Sequence, residues 1–123
     1  PLTALRWLDL SDNRLESIEN STFANLSNLK YLYLQRNLIK RIEAQAFMGL
    51  NMLLLIMQSN EIEMVASQAF DNFCSKFIEM ENNAIDEYII YVDNGTCLTI
   101  EFDIEVDEND YYSAVGFQLT LDP

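Results

Sequence analysis

Apolar residues alternate with polar or aromatic ones in short bursts along this chain, and the bursts recur at a nearly fixed interval. Asn13, Asn37, Asn60 and Asn83 mark the period, 24, 23 and 23 residues apart. Around each asparagine the apolar positions fall into columns. Five residues before it stand Leu8, Leu32, Leu55 and Ile78, and three before it Leu10, Leu34, Met57 and Met80. Two after it come Leu15, Ile39, Ile62 and Ile85, and five after it Ile18, Ile42, Val65 and Tyr88. Ten after it come Phe23, Phe47 and Phe70, and the pattern then breaks at Asp93. A repeat of this length makes each unit one coil of a solenoid, which buries its apolar face only by stacking on its neighbours.

The alternation Leu8-Asp9-Leu10 predicts a short strand with both leucines on one face. Strands of successive coils then lie parallel, about 4.8 Å apart. Each asparagine falls at the turn that follows, where its amide offers the donors and acceptor that buried turn backbone lacks. Stacked asparagines form a ladder, and Phe23, Phe47 and Phe70 form a spine on the far side of the core.

The string L-x-x-L-x-L-x-x-N-x-L with the tail I-x-x-x-x-F-x-x-L resembles the leucine-rich-repeat family, specifically its 24-residue class of extracellular and cell-surface proteins. The resemblance covers residues 2 to about 88 and is tightest through Phe73. In the fourth unit Ser75 stands in place of the first leucine and the phenylalanine is missing. It implies an α/β solenoid whose short-stranded parallel sheet lines a concave face, and a binding protein rather than an enzyme. Leu2 is in register with Leu26 and Leu50, so Pro1-Leu2-Thr3-Ala4 reads as the tail of a further repeat upstream, and the chain as part of a longer protein.

Residues that alternate with the core leucines point out of the concave sheet. Six before each asparagine they are Trp7, Tyr31, Leu54 and Phe77; four before, Asp9, Tyr33, Ile56 and Glu79; two before, Ser11, Gln35, Gln58 and Glu81. The first column is apolar or aromatic in every coil and holds the only Trp. A patch of Trp7, Tyr31, Tyr33, Leu54, Ile56 and Phe77 is larger than soluble monomers usually leave uncovered, and Trp and Tyr are enriched where binding energy concentrates. These six are the candidate partner-binding residues. The patch equally suits intramolecular cover, or a structural subunit that assembles into an extracellular filament or matrix through the same face.

Beyond Tyr88 the pattern changes to antiparallel strands. Ile89-Ile90-Tyr91-Val92 and Cys97-Leu98-Thr99-Ile100 flank Asp93-Asn94-Gly95-Thr96, and Asn-Gly between apolar runs is a strong hairpin pattern. Leu98, Ile100, Phe102, Ile104 and Val106 alternate with polar residues, and after a turn at 108–110 so do Val115, Phe117, Leu119 and Leu121. The expected organisation is a solenoid over 1–88 and a C-terminal β-hairpin or meander over 89–123 that caps its open end. Cys97 follows Cys74 by 23 residues, one repeat period. Stacked coils and a hairpin both allow a Cys74–Cys97 bridge.

Composition narrows the function. The net charge is −13, and all seven Lys and Arg lie between Arg6 and Lys76. From Phe77 onward there are twelve acids and no base, a distribution that disfavours nucleic acid and anionic membranes as partners. It suits a basic partner, a bound cation or simple solubility. Asp107, Asn109 and Asp110 are candidate oxygen ligands for Ca²⁺, although the EF-hand spacing is absent; otherwise no cofactor is expected. The chain contains no His, which removes the usual general base and the commonest metal ligand. No glycine-rich phosphate loop occurs, and two bridged cysteines leave no thiolate. The longest apolar run, 52–57, is too short to span a bilayer. Sequons at Asn20, Asn25 and Asn94 are candidate glycosylation sites and, with the bridge, point to an extracellular or cell-surface glycoprotein.

Overall fold

A computed structural model of the chain describes residues 2–85, 89–93, 95–102 and 111–113. Among these residues a 3₁₀ turn at Leu2–Ala4 precedes ten short strands: β1 (Trp7–Asp9), β2 (Ser17–Ile18), β3 (Tyr31–Tyr33), β4 (Arg41–Ile42), β5 (Asn51–Ile56), β6 (Met64–Ala66), β7 (Cys74–Glu79), β8 (Ile89–Asp93), β9 (Leu98–Phe102) and β10 (Tyr111–Ser113). They form two sheets on opposite sides of one core. The larger runs β1-β3-β5-β7-β9-β8 and the smaller β10-β6-β4-β2.

The repeat columns set the pairing. Trp7, Tyr31, Leu54 and Phe77 are consecutive register partners across β1, β3, β5 and β7, all parallel. Ile18, Ile42 and Val65 likewise align across β2, β4 and β6. Leu32, Leu34, Leu55, Met57 and Met80 are fully buried between the sheets. Phe47 is sealed in the middle of the spine, 5.7 Å from Phe23 and 5.0 Å from Phe70 between ring centroids, both stacked. Phe73 meets Phe47 and Phe70 edge-on. Coil one is more open, with Leu8, Leu10 and Leu15 only partly buried.

The asparagine ladder forms as the spacing predicts. Asn60 Oδ1 accepts the N–H groups of Asn37 and Ile39, each at 3.1 Å, while its Nδ2 donates to the carbonyls of Leu34 and Met57. Asn37 Oδ1 accepts Leu15 N and Asn83 Oδ1 accepts Ile62 N, so each amide serves its own coil and the previous one. The residue just before each asparagine takes a left-handed backbone in all four coils, at Asp12, Arg36, Ser59 and Asn82.

One expectation needs correcting. The α/β class does not hold, since no α-helix occurs among the described residues. The return limb spends part of its length on β2, β4 or β6, and left-handed Ser21 and Gln45 interrupt what remains. Such short segments form too few helical hydrogen bonds to offset nucleation. The predicted hairpin is present as β8 and β9, with Gly95 at φ 96° in its turn. A further strand, β10, falls between the expected runs, lies in the other sheet and pairs antiparallel with β6, Tyr111 opposite Ala66. β9 runs antiparallel to β7 with Ser75 opposite Leu98, so both sheets acquire an antiparallel neighbour at their last coil. An exposed parallel edge leaves a row of unpaired backbone groups, which such strands satisfy. Cys74 and Cys97 form a disulfide across β7 and β9 with Cα atoms 5.6 Å apart. Tyr88, residues 103–106 of the alternating run and Val115, Phe117, Leu119 and Leu121 lie outside the described residues.

Candidate functional site

The outer face of the larger sheet carries the side chains that the core leucines leave pointing away. In β3 and β5 one carbonyl of the preceding coil serves two consecutive N–H groups. Arg6 O accepts Lys30 N at 2.8 Å and Tyr31 N at 2.9 Å, and Lys30 O accepts Leu53 N and Leu54 N at 2.9 and 3.0 Å. This bulge-like step lets two adjacent residues escape the core before alternation resumes. The column six before the asparagine therefore faces outward, and the column seven before it, Arg6, Lys30, Leu53 and Lys76, also stays out of the core.

Trp7 and Phe77, at the two ends of the outward row, are 57% and 69% exposed. Between them Tyr31, Tyr33, Leu54 and Ile56 are half-buried. Trp7 packs against both tyrosines, with ring centroids 5.0 Å from Tyr31 and 5.2 Å from Tyr33. The six sequence-predicted residues thus share one continuous surface, with an aromatic cluster at one end and an aliphatic strip leading to Phe77 at the other.

Charges border this surface in an ordered way. On the N-terminal edge of the strands lie Arg6, Lys30 and Lys76. Lys30 Nζ donates to Asn51 O and Lys76 Nζ to Thr96 O, both at 2.8 Å. On the other side lie Asp9, Glu79 and Glu81. Asp9 accepts from the Ser11 side chain and backbone N–H, which hold its carboxyl below the ordinary 3.8. Asp12 is held below that value by a bidentate pair with the Arg36 guanidinium, at 2.6 and 2.8 Å. Sequence reasoning missed the basic column and the Asp12–Arg36 pair. The 24-residue spacing of Asp12 and Arg36 places both in one column of adjacent coils, and that spacing could have revealed the contact.

Other candidate sites fall elsewhere. Asn20 and Asn25 are exposed on the turn segment between β2 and β3, off the concave sheet, and Asn94 lies outside the described residues. So do Asp107, Asn109 and Asp110; among the described residues no group of His, Cys, Asp or Glu is arranged to hold a metal ion. A cleft of about 390 Å³ beside the disulfide is lined by Leu50, Asn51, Phe70, Phe73, Cys74 and Thr99 together with Gly49 and Asn72, and offers no ionisable side chain. No helix among the described residues is long and apolar enough to cross a membrane. The disulfide is of the kind that persists in an oxidising compartment.

A stack of strand, asparagine turn and return limb, with an apolar outer face, defines a repeat solenoid. The family model for the leucine rich repeat matches residues 3–62, and the repeats of this chain belong to the leucine-rich-repeat family. No solved structure matches the chain. Domains of this family are generally protein-binding modules and are typically not enzymes.

Proposed function

We propose that this chain is a non-catalytic protein-binding module of a secreted or cell-surface glycoprotein, with its protein or peptide ligand on the outer face of the parallel sheet. The observation that carries the reading is the row Trp7, Tyr31, Leu54 and Phe77, exposed at both ends and aligned coil by coil. Trp7 and Tyr31 are large, rigid and amphipathic, the side chains around which interface energy concentrates. In this reading 1–88 is the recognising solenoid and 89–123 its cap, and glycans on Asn20 and Asn25 leave the sheet face clear.

Selection of displayed peptides on the wild-type chain tests the reading. Binders should lose affinity for a Tyr31→Lys/Tyr33→Lys variant that keeps its circular dichroism spectrum. Binders that tolerate this double change place recognition elsewhere and refute the proposal. Secretion from eukaryotic cells followed by glycopeptide mapping tests the sequons separately, and unmodified Asn20, Asn25 and Asn94 would remove the glycoprotein part.

A further inference from the structure

The two columns that flank the outward row carry opposite charges in the first and last coils and an apolar pair in the third. One column holds Arg6, Lys30, Leu53 and Lys76; the other, on the opposite side of the apolar row, holds Asp9, Tyr33, Ile56 and Glu79. Within each coil the two members match: Arg with Asp, Lys with Tyr, Leu with Ile, Lys with Glu. They stand three residues apart along the strand, about 10 Å.

A two-fold axis lying in the sheet plane and parallel to the solenoid axis exchanges these two columns and leaves every coil opposite itself. We infer that the occupant of this face is a second copy of the chain, related by that axis; the inference rests on the reading of the face as a binding surface. Arg6 then meets the partner's Asp9, Lys30 meets the partner's Tyr33, Leu53 meets the partner's Ile56 and Lys76 meets the partner's Glu79, each contact made twice. The rows headed by Trp7 lie side by side along the axis and shield one another from water. An isologous interface requires a surface complementary to itself, and this one is. The other in-plane two-fold, along the strands, would place coil one opposite coil four. Arg6 would then confront the partner's Lys76, and Asp9 the partner's Glu79, so like charges reject that arrangement. The apolar row alone fits either axis, and the charge columns choose between them.

Sedimentation velocity on the full chain at rising concentration tests the inference. The wild type should pass from monomer to dimer. Glu79→Lys and Lys76→Glu, each checked for an unchanged circular dichroism spectrum, should each weaken dimerisation by about 10-fold or more, because two attractive contacts become repulsive. Mixing these two single variants should restore a dimer, since every position 76 then meets an opposite charge at 79. Asp9→Arg and Arg6→Glu should behave in the same way, independently of the Lys76 bond to Thr96. A dimer indifferent to the reversals, or variants that do not rescue one another on mixing, would overturn the inference. A wild type that stays monomeric also overturns it. If that monomer still binds selected peptides in a Tyr31- and Tyr33-dependent way, the binding reading stands and only the second copy is wrong. If it does not, the face itself has been misread.

Discussion

Replacing Asn60 by alanine should cost far more than the same change at Asn13, although the two occupy the same repeat position. Asn60 is only 8% exposed, and its Oδ1 is the acceptor for both Asn37 N and Ile39 N. Alanine leaves these two amides without an acceptor inside the stack. The carbonyls fare better, because Leu34 O still accepts from Asn37 and Met57 O from Asn83. Two orphaned donors at about 1–3 kcal/mol each give a loss of about 2–6 kcal/mol. Asn13 is exposed and only donates, to the carbonyls of Leu10 and Ser11, and Leu10 O keeps its bond from Asn37. Its replacement should therefore cost under about 1 kcal/mol. Urea unfolding followed by circular dichroism measures both. The shared acceptor adds a sharper requirement. Leu34 O loses one donor in Asn37→Ala or Asn60→Ala but both in the double variant, so the double should exceed the sum of the singles by about 1 kcal/mol. Equal losses at Asn13 and Asn60, or strict additivity of Asn37 and Asn60, would refute the ladder as a set of shared hydrogen bonds.

Further consequences can be checked with the same variants in hand. Phe47→Ala removes a fully buried ring stacked on two others and should cost about 3–5 kcal/mol, read as a lowered urea midpoint with intact disulfide. Reduction or Cys97→Ser should cost about 3 kcal/mol by releasing the β9 hairpin from β7, seen as a lower melting temperature that reductant no longer changes in the variant. Gly95→Ala meets no neighbouring atom, so its cost should be the backbone strain of φ 96° alone, about 1 kcal/mol, without loss of the spectrum of the solenoid. Asp9 and Asp12 are held below the ordinary carboxyl value of 3.8 by Ser11 and Arg36 respectively. Their contribution is present above the unfolded value and is lost as pH falls through the depressed ones, so Asp12→Asn should be slightly less stable than wild type at neutral pH, with the difference vanishing as pH falls below about 3.8.

Much of this protein is legible because a solenoid repeats its geometry. The 23- and 24-residue period of the asparagines places the leucines inside, stacks Phe23, Phe47 and Phe70, and aligns Trp7 with Tyr31, Leu54 and Phe77. The parallel strands of adjacent coils pair equivalent positions, so one register settles them all. The hairpin was equally clear, because Asn94-Gly95 between apolar runs leaves little choice of turn. Even the basic column and the Asp12–Arg36 pair were encoded in the period, but they require attention to polar positions that a search for core residues passes over.

What the linear pattern could not supply was the ending. A strand such as β10 carries no mark saying which edge it will join, because backbone hydrogen bonds are the same for every partner and distance along the chain does not rank them. Only packing sent β9 to β7 and β10 to β6, one to each sheet. The same limit explains the failed α/β expectation: helix or strand in the short return limb is decided by the room between stacked coils, not by local propensity. The sequence by itself determined the period, the core and the columns on the outer face, since those follow from repetition alone. The tertiary structure decided how the last coil is closed, since that depends on which separate segments meet in space.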